Sequence, residues 1–214
     1  MVSGGELFRA LKAGVTPGRF LFAGVGKTDE ELKAGLAAKI FSFHVETIDE
    51  LHRLDDFASE LGTRVPFGVR INPDIMAPTP HEYTRTGHAE TKFGLPVPVA
   101  VGLYRWAKTR LHLRPRGITV HLGSEIVDPA PNKQALRQLM EVVHLLKKED
   151  ILLDYVDIGG GFGIGDGSGG MDMQALAGEL MSVFKGSGLR LILEPGKFLV
   201  GEAGALLTRV RAVK

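Results

Sequence analysis

Short, nearly continuous apolar runs alternate along the chain with longer stretches in which apolar residues recur at helical spacing. The runs are rich in β-branched and aromatic residues, and they cover residues 20–23, 40–45, 67–71, 117–121, 155–158 and 189–193. Strands that are buried on both faces of a parallel sheet have this character, whereas strands with one face in water alternate. The pattern therefore predicts six strands of a parallel sheet.

Helices are predicted between these strands. The helical spacing covers residues 4–13, 29–38, 48–61, 98–111, 132–149 and 172–184. Three of the helix starts have the form of a capping box, in which a Ser or Thr is followed three residues later by Glu: Ser3 with Glu6, Thr28 with Glu31, and Thr47 with Glu50. Each side chain of such a box satisfies a backbone donor at the helix entrance.

Repeated strand–loop–helix units indicate parallel strands joined by crossover helices. A β/α barrel and a doubly wound sheet share this pattern, and periodicity alone does not separate them. The chain opens on a helix where a β/α unit would open on a strand, and residues 205–214 have the pattern of a strand. We therefore expect an incomplete α/β domain.

Composition narrows the function classes. The chain has 214 residues, 44% of them hydrophobic and 24% charged, with a formal net charge of +1. Nothing in that charge favours nucleic acid or an anionic membrane as a partner. Cysteine is absent, which excludes disulfides and thiolate chemistry within the chain. No apolar stretch has the length of a signal or membrane span, so a cytoplasmic protein is expected.

A metal site is not expected from the histidines. None of the seven has ligand spacing, and all except His121 lack a local chemical context: His44, His52, His81, His88, His112, His121 and His144.

A glycine-rich segment follows the fifth predicted strand, in the sequence Asp157-Ile-Gly-Gly-Gly-Phe-Gly163. Gly159, Gly160 and Gly161 could expose backbone N–H groups to a phosphate and let it approach closely. A tight turn from strand to loop is an equally good interpretation. The spacing does not match the dinucleotide-binding fingerprint, because Asp166 stands where its third glycine would be due.

Two further polar segments follow predicted strands. His121-Leu-Gly-Ser124 offers a ring that can stack on a planar group and a hydroxyl that can donate to a phosphate, although a structural histidine is the alternative. Glu194-Pro-Gly-Lys197 offers a buried carboxylate and an anion-binding lysine, or else an ion pair at the rim of a barrel. Because ligand sites gather at the carboxyl ends of parallel strands, these segments are expected to form one site.

Taken in order, the motifs resemble the pyridoxal-phosphate (PLP) decarboxylases of fold type III, which pair an alanine-racemase-like (β/α)8 TIM barrel with a β domain. The chain is most similar to the diaminopimelate decarboxylase group, and also to the decarboxylases of exosortase gene neighbourhoods. The segments that carry the resemblance are Val2-Ser-Gly-Gly-Glu-Leu7, Gly24-Val-Gly-Lys27, Phe43-His-Val-Glu46, Arg70-Ile-Asn-Pro73, Thr86-Gly87, Lys92-Phe-Gly94, His121-Leu-Gly-Ser124, Gly159–Gly161 and Glu194-Pro-Gly196.

The resemblance implies a PLP site and roles for its residues. His121 would stack on the pyridine ring, and Glu194 would keep the ring nitrogen protonated. The phosphate would lie against Ser124, the three glycines, Gly196 and Lys197, and Lys197 would also meet the substrate, an amino acid. The resemblance further implies residues 1–204 as a partial barrel of about six β/α units, and residues 205–214 as the start of a β domain.

The departures from the family pattern bear on activity. By resemblance, the Schiff-base lysine lies upstream of the segment matched by Val2, so the lone chain is expected to be catalytically incomplete. Lys27, Lys92 or Lys197 would have to replace it, although each has a simpler role as a surface or anion-binding lysine. Lys197 stands where the family has arginine, and Glu125 stands where it has glutamine. Open sheet edges predict a homodimer or higher oligomer.

Overall fold

The computed structural model describes residues 1–78, 87, 92–165 and 169–213. Seven strands belong to one parallel sheet: β1 (Leu21–Phe22), β2 (Ser42–Val45), β3 (Val65–Asn72), β4 (Leu95–Pro96), β5 (Leu113–Thr119), β6 (Tyr155–Gly160) and β7 (Arg190–Glu194). Seven α-helices accompany them: α1 (Gly4–Lys12), α2 (Asp29–Ala38), α3 (Ile48–Glu60), α4 (Val97–Lys108), α5 (Ala130–Lys148), α6 (Met173–Phe184) and α7 (Gly196–Val200).

The strands lie in the order β1-β2-β3-β5-β6-β7, and the short β4 pairs with the end of β3. Every pairing is parallel. Each of the six principal strands overlaps one of the apolar runs, and all six longer helices overlap the predicted ones. The sheet curls into a half-barrel, so the expectation of an incomplete alanine-racemase-like TIM barrel is confirmed.

The curl of the sheet is visible in contacts between strands that are not neighbours. The hydroxyl of Tyr155 on β6 lies 2.9 Å from Ser42 Oγ and 3.0 Å from His44 Nε2 on β2, although β3 and β5 separate these strands in the sheet. The Tyr155 ring lies over Gly117, where a Cβ would come within 2.0 Å of its Cζ atom. A large ring therefore fills the inner face only because the strand beneath it carries glycine.

The helix starts follow the capping residues. Thr28 forms a complete capping box with Glu31, and α2 begins at the next residue. Thr47 caps α3 by accepting the Glu50 N–H at 3.1 Å, but the Glu50 carboxylate turns to Lys27 Nζ at 2.7 Å and completes no box. The capping signal thus gives the helix start correctly while Glu50 is used elsewhere.

One predicted element is wrong. Residues 205–213 form no strand, and Leu206 and Leu207 are more than nine-tenths exposed. A strand needs a neighbour for its backbone groups, and these residues pair with none among the described residues. The division at residue 204 stays a prediction. No helix of the described residues has the length and apolar character needed to cross a membrane.

Candidate functional site

A cavity of about 440 Å³ opens at the carboxyl ends of the strands. Five strands or the loops that follow them contribute to it. Its lining residues are Val2, Ala23, Gly24, Val25, His44, Arg70, Phe93, Thr119, His121 and Glu194. The predicted residues His121 and Glu194 are therefore brought to one cavity, as the rule for parallel strands indicates.

His121 forms part of the wall of this cavity, two residues beyond the end of β5. Its Nδ1 accepts the N–H of Gly160 at 3.1 Å, which fixes the orientation of the ring. Burial, with a smaller contribution from the positive charge of Arg70, lowers the pKa of His121 to about 4. The ring is therefore neutral at physiological pH, and a neutral flat ring can stack on another ring.

Glu194 ends β7, the last strand of the sheet. Its Oε1 lies 3.9 Å from His44 Nδ1 and faces the cavity. The sequence predicts that this carboxylate is buried, but 37% of the Glu194 side chain is exposed. The reason is the position of β7 at the edge of the sheet, where no further strand of the described residues covers it.

The three glycines hold the site together from behind. The N–H of Gly159 donates to Asp157 Oδ1 at 2.8 Å, that of Gly160 donates to His121, and Gly160 also pairs with Glu194 in the β6–β7 ladder. A Cβ on Gly160 would stand 1.9 Å from the Glu194 carbonyl oxygen. The glycines therefore allow Asp157, His121 and Glu194 to pack closely together. The N–H groups of Gly159 and Gly160 donate to protein atoms.

Ser124 and Lys197 are not among the residues that line the cavity. Ser124 adjoins Gly161, whose added Cβ would be 3.2 Å from the Ser124 Cα. The Lys197 ammonium forms an ion pair with Glu125, so the two departures from the family pattern contact each other. Gly196 begins α7 on the side of β7 that faces a second depression, which Met1 and Leu21 also line.

Arg70 also faces the cavity, and the sequence motifs assign it no role. Its Nη1 donates to Glu46 Oε1 at 2.8 Å, and its guanidinium lies 4.8 Å from the centre of the Phe93 ring. Both charges of the pair are buried, so Arg70 is held rigidly. Arg70 could have been identified by the same sequence rule that identifies His121, because both are polar side chains near the end of a parallel strand.

His44 has a chemical context, contrary to the expectation from the sequence. It is buried on β2, and one ligand atom each of His44, Asp157 and Glu194 lies within 4.8 Å of the others. Burial, followed by the charge of Lys27, lowers the pKa of His44 to about 3, so its ring is neutral. The long separation of His44 from Asp157 along the chain hides this association in the sequence.

The expectation that Lys27 is a surface or anion-binding lysine is wrong. The residue is 3% exposed, and its ammonium donates to Gly24 O, His44 O and Glu50 Oε1 at 2.7–2.8 Å. Three acceptors match its three donors, so Lys27 is a structural cation that holds the β1–α2 loop against β2. Lys92 is exposed, with its Nζ 5.3 Å from the centre of the Phe93 ring.

Four of the residues named from the sequence have no structural description. Thr86 of the Thr86-Gly87 motif, the histidines at 81 and 88, and Asp166 lie outside the described residues.

Comparison with known proteins gives a consistent result. The family described as "Pyridoxal-dependent decarboxylase, pyridoxal binding domain" matches residues 1–201. The diaminopimelate decarboxylase of Neisseria meningitidis serogroup B is 40% identical over 215 residues, which is 100% of this chain and 52% of that protein. The enzyme of the same name from Aquifex aeolicus is 37% identical and is covered to 51%.

Solved structures agree with the sequence relatives. The crystal structure of diaminopimelate decarboxylase from Helicobacter pylori complexed with L-lysine matches with a TM-score of 0.90 at 35% identity. The match covers 92% of this chain and 50% of that one. The chain thus spans about half the length of the relatives that it matches.

Proposed function

Because the chain belongs to the family of pyridoxal-dependent decarboxylases, whose pyridoxal-binding domain matches residues 1–201, we propose that it forms the cofactor-binding half-barrel of an amino-acid decarboxylase. The proposed reaction converts meso-diaminopimelate to lysine and carbon dioxide. The expectation of PLP as the cofactor is confirmed by the family. The observation that carries the proposal is the convergence of His121, Arg70 and Glu194 on one cavity at the strand ends.

The residues present fit the cofactor. The neutral His121 ring would stack on the pyridine, and the Glu194 carboxylate would accept the ring N–H. Ser124, Gly161 and Lys197 would lie at the phosphate end. When bound, PLP supplies an electron sink for the electrons left by loss of carbon dioxide. Arg70, fixed by Glu46, places a permanent positive charge on the cavity wall, where it would attract a carboxylate of the substrate.

Two lysines considered as replacements for the Schiff-base residue are already engaged. Lys27 is saturated by three acceptors, and Lys197 is paired with Glu125. This observation favours a second candidate function for the 214-residue chain on its own: a PLP- or phosphate-binding module without turnover. The two candidates make the same prediction for binding and different predictions for chemistry.

Titration of the chain with PLP, followed by cofactor absorbance, tests binding. Glu194→Ala should weaken PLP binding about tenfold or more, as expected for the loss of a charge-assisted hydrogen bond, while Glu202→Ala, which removes an exposed glutamate later in the chain, should not. Borohydride reduction and peptide mapping then show whether any lysine is attached, and release of carbon dioxide from diaminopimelate shows turnover. Saturable binding without label or turnover supports the module, and no binding refutes both candidates.

A homodimer or higher oligomer is proposed from the open edges of the sheet at β1 and β7. Monomeric sedimentation at high concentration would contradict it. The cytoplasmic location expected from the sequence also stays a prediction.

A further inference from the structure

Asp157 lies beside His44 and Glu194, two residues that line the cavity, and its carboxyl group has an unmatched hydrogen-bond acceptor. Asp157 is fully buried, and its Oδ1 accepts from the Gly159 N–H, but its Oδ2 has no hydrogen-bond partner among the described residues. His44 Nε2 lies 3.8 Å from that atom, which is too far for a hydrogen bond. A buried, unpartnered carboxylate oxygen is costly and requires an explanation.

His44 cannot supply the missing donor. Ser42 Oγ donates to the Phe43 carbonyl, so it accepts the proton of the Tyr155 hydroxyl. Tyr155 has then used its only proton and must accept from His44 Nε2, which therefore carries the hydrogen of the neutral ring. His44 Nδ1 is left with a lone pair, and it is this atom that faces Glu194.

Nearby cations do not neutralise Asp157 either. The charged and titratable groups around it come from several elements, and each has other partners among the described residues. Lys27 is paired with Glu50, Arg70 with Glu46, the Met1 ammonium donates to Leu21 O, and Glu194 brings a second negative charge. An ionised Asp157 would thus be a buried charge beside a like charge.

We infer that Asp157 is a neutral carboxylic acid in the folded protein, and that its Oδ2–H points to the Glu194 carboxylate and aims that group at the cofactor's ring nitrogen. The proton belongs on Asp157 because its carboxyl group is fully buried, whereas 37% of the Glu194 side chain is exposed. Burial first, and the charge of Glu194 second, raise the pKa of Asp157 well above its ordinary value, in agreement with the geometry. Asp157 is thus a positioning residue, and this part rests on the proposed cofactor site.

A divalent cation is the competing occupant of these three side chains. One ligand atom each of His44, Asp157 and Glu194 lies within 4.8 Å of the others. A proton shared by the two carboxyl groups satisfies Asp157 Oδ2 without an ion, and addition of a divalent cation distinguishes the two occupants.

The test compares wild type, Asp157→Asn and the surface control Asp56→Asn by urea unfolding across a pH series without cofactor. A neutral acid in the folded state means that folding takes up a proton at neutral pH, so wild type becomes less stable as pH rises above the unfolded value of about 3.9. The Asn amide imitates the protonated acid. Asp157→Asn should therefore become increasingly more stable than wild type as pH rises. The ratio of their unfolding equilibrium constants should change by up to about tenfold per pH unit.

A stability difference between Asp157→Asn and wild type that does not change with pH, or that increasingly favours wild type as pH rises, would overturn the inference. Infrared difference spectra of the folded wild type at neutral pH give a second reading, which does not depend on how the variant folds. They should show a protonated carboxyl band that Asp157→Asn lacks, and absence of the band would overturn the inference. Stabilisation of wild type but not of Asp157→Asn by Zn²⁺ would assign the site to a cation instead.

PLP titration separates this inference from the proposed function. Asp157→Asn should bind PLP within about threefold of wild type, and Asp157→Leu, which has no donor, should bind about tenfold more weakly. Equal binding by the Leu variant would remove the positioning role. Failure of wild type to bind PLP would refute the proposed function, while the pH series and the infrared band would still decide the proton.

Discussion

The Tyr104 hydroxyl forms hydrogen bonds to backbone groups next to an irregularity between the central strands β3 and β5. Removing it should therefore lower the stability of the protein by an amount that the structure allows us to estimate. The register between β3 and β5 shifts between Phe67 and Gly68. Next to this shift, Tyr104 Oη accepts the Val69 N–H at 2.9 Å and donates to the Gly117 carbonyl at 2.5 Å. The ring is fully buried, so water does not reach either backbone group through it.

Tyr104→Phe leaves one buried donor and one buried acceptor without a partner. Each such group costs about 1–3 kcal/mol, and part is regained because the hydroxyl itself is no longer desolvated, so we expect a loss of about 2–4 kcal/mol in the free energy of unfolding. Tyr155→Phe is the matched control. It deletes an equally buried hydroxyl, but its partners can adapt: the Ser42 hydroxyl can rotate, and the His44 ring can change tautomer.

Urea unfolding of the two variants and wild type measures the difference. Tyr104→Phe should be less stable than Tyr155→Phe by about 1 kcal/mol or more. If it lost no more than the control, the hydroxyl would not be replacing ladder bonds, and the reasoning about the strand irregularity would be refuted.

Three further predictions concern charge. Because burial lowers the pKa of His121 to about 4, its contribution to stability is complete above the unfolded value of about 6.5 and is lost as pH falls toward 4. His121→Gln should reduce the acid-induced loss of stability by up to about 3 kcal/mol in urea unfolding, with the exposed His144→Gln as the matched control. Glu125→Gln should bind PLP roughly two- to fivefold more tightly and Lys197→Gln more weakly, with both effects shrinking at high salt in the same titration. Lys27→Met should lower the free energy of unfolding by about 3–5 kcal/mol in urea unfolding, because it leaves the buried Glu50 carboxylate without its cation. A loss below about 1 kcal/mol would contradict the structural role of Lys27.

The fold is accessible from the sequence because its signals are local. Strands buried on both faces show as apolar runs, and Thr28 and Thr47 mark helix starts that the structure places one residue later. The alternation of the two predicts a parallel β/α arrangement. Periodicity does not distinguish a barrel from an open sheet, because the curl is decided by packing on the inner face, such as the Tyr155 ring over Gly117.

The site is only partly accessible for the same reason. His121 and Glu194 follow strands and carry reactive groups, so the rule for strand ends finds them. His44 and Asp157 lie within strands, and their association depends on curvature that brings β2 opposite β6. Lys27 is misleading because its three acceptors, among them the Glu50 carboxylate from α3, come together only in the folded chain.

The glycine segment shows how one motif can serve two interpretations. A phosphate cradle and a tight turn are equally good explanations of Gly159–Gly161 in the sequence. In the structure, close contacts within the protein already require glycine at these positions. Each of these glycines is excluded from bearing a side chain by a protein atom: His121 Nδ1 at 2.6 Å, the Glu194 carbonyl at 1.9 Å and the Gly123 carbonyl at 1.7 Å. Because these contacts set the distance between the ring that would stack on the cofactor and the carboxylate that would hold its nitrogen, the segment's effect on PLP binding is first a matter of spacing. Substitution there should therefore disturb both ends of the cofactor together, even where no N–H reaches the phosphate.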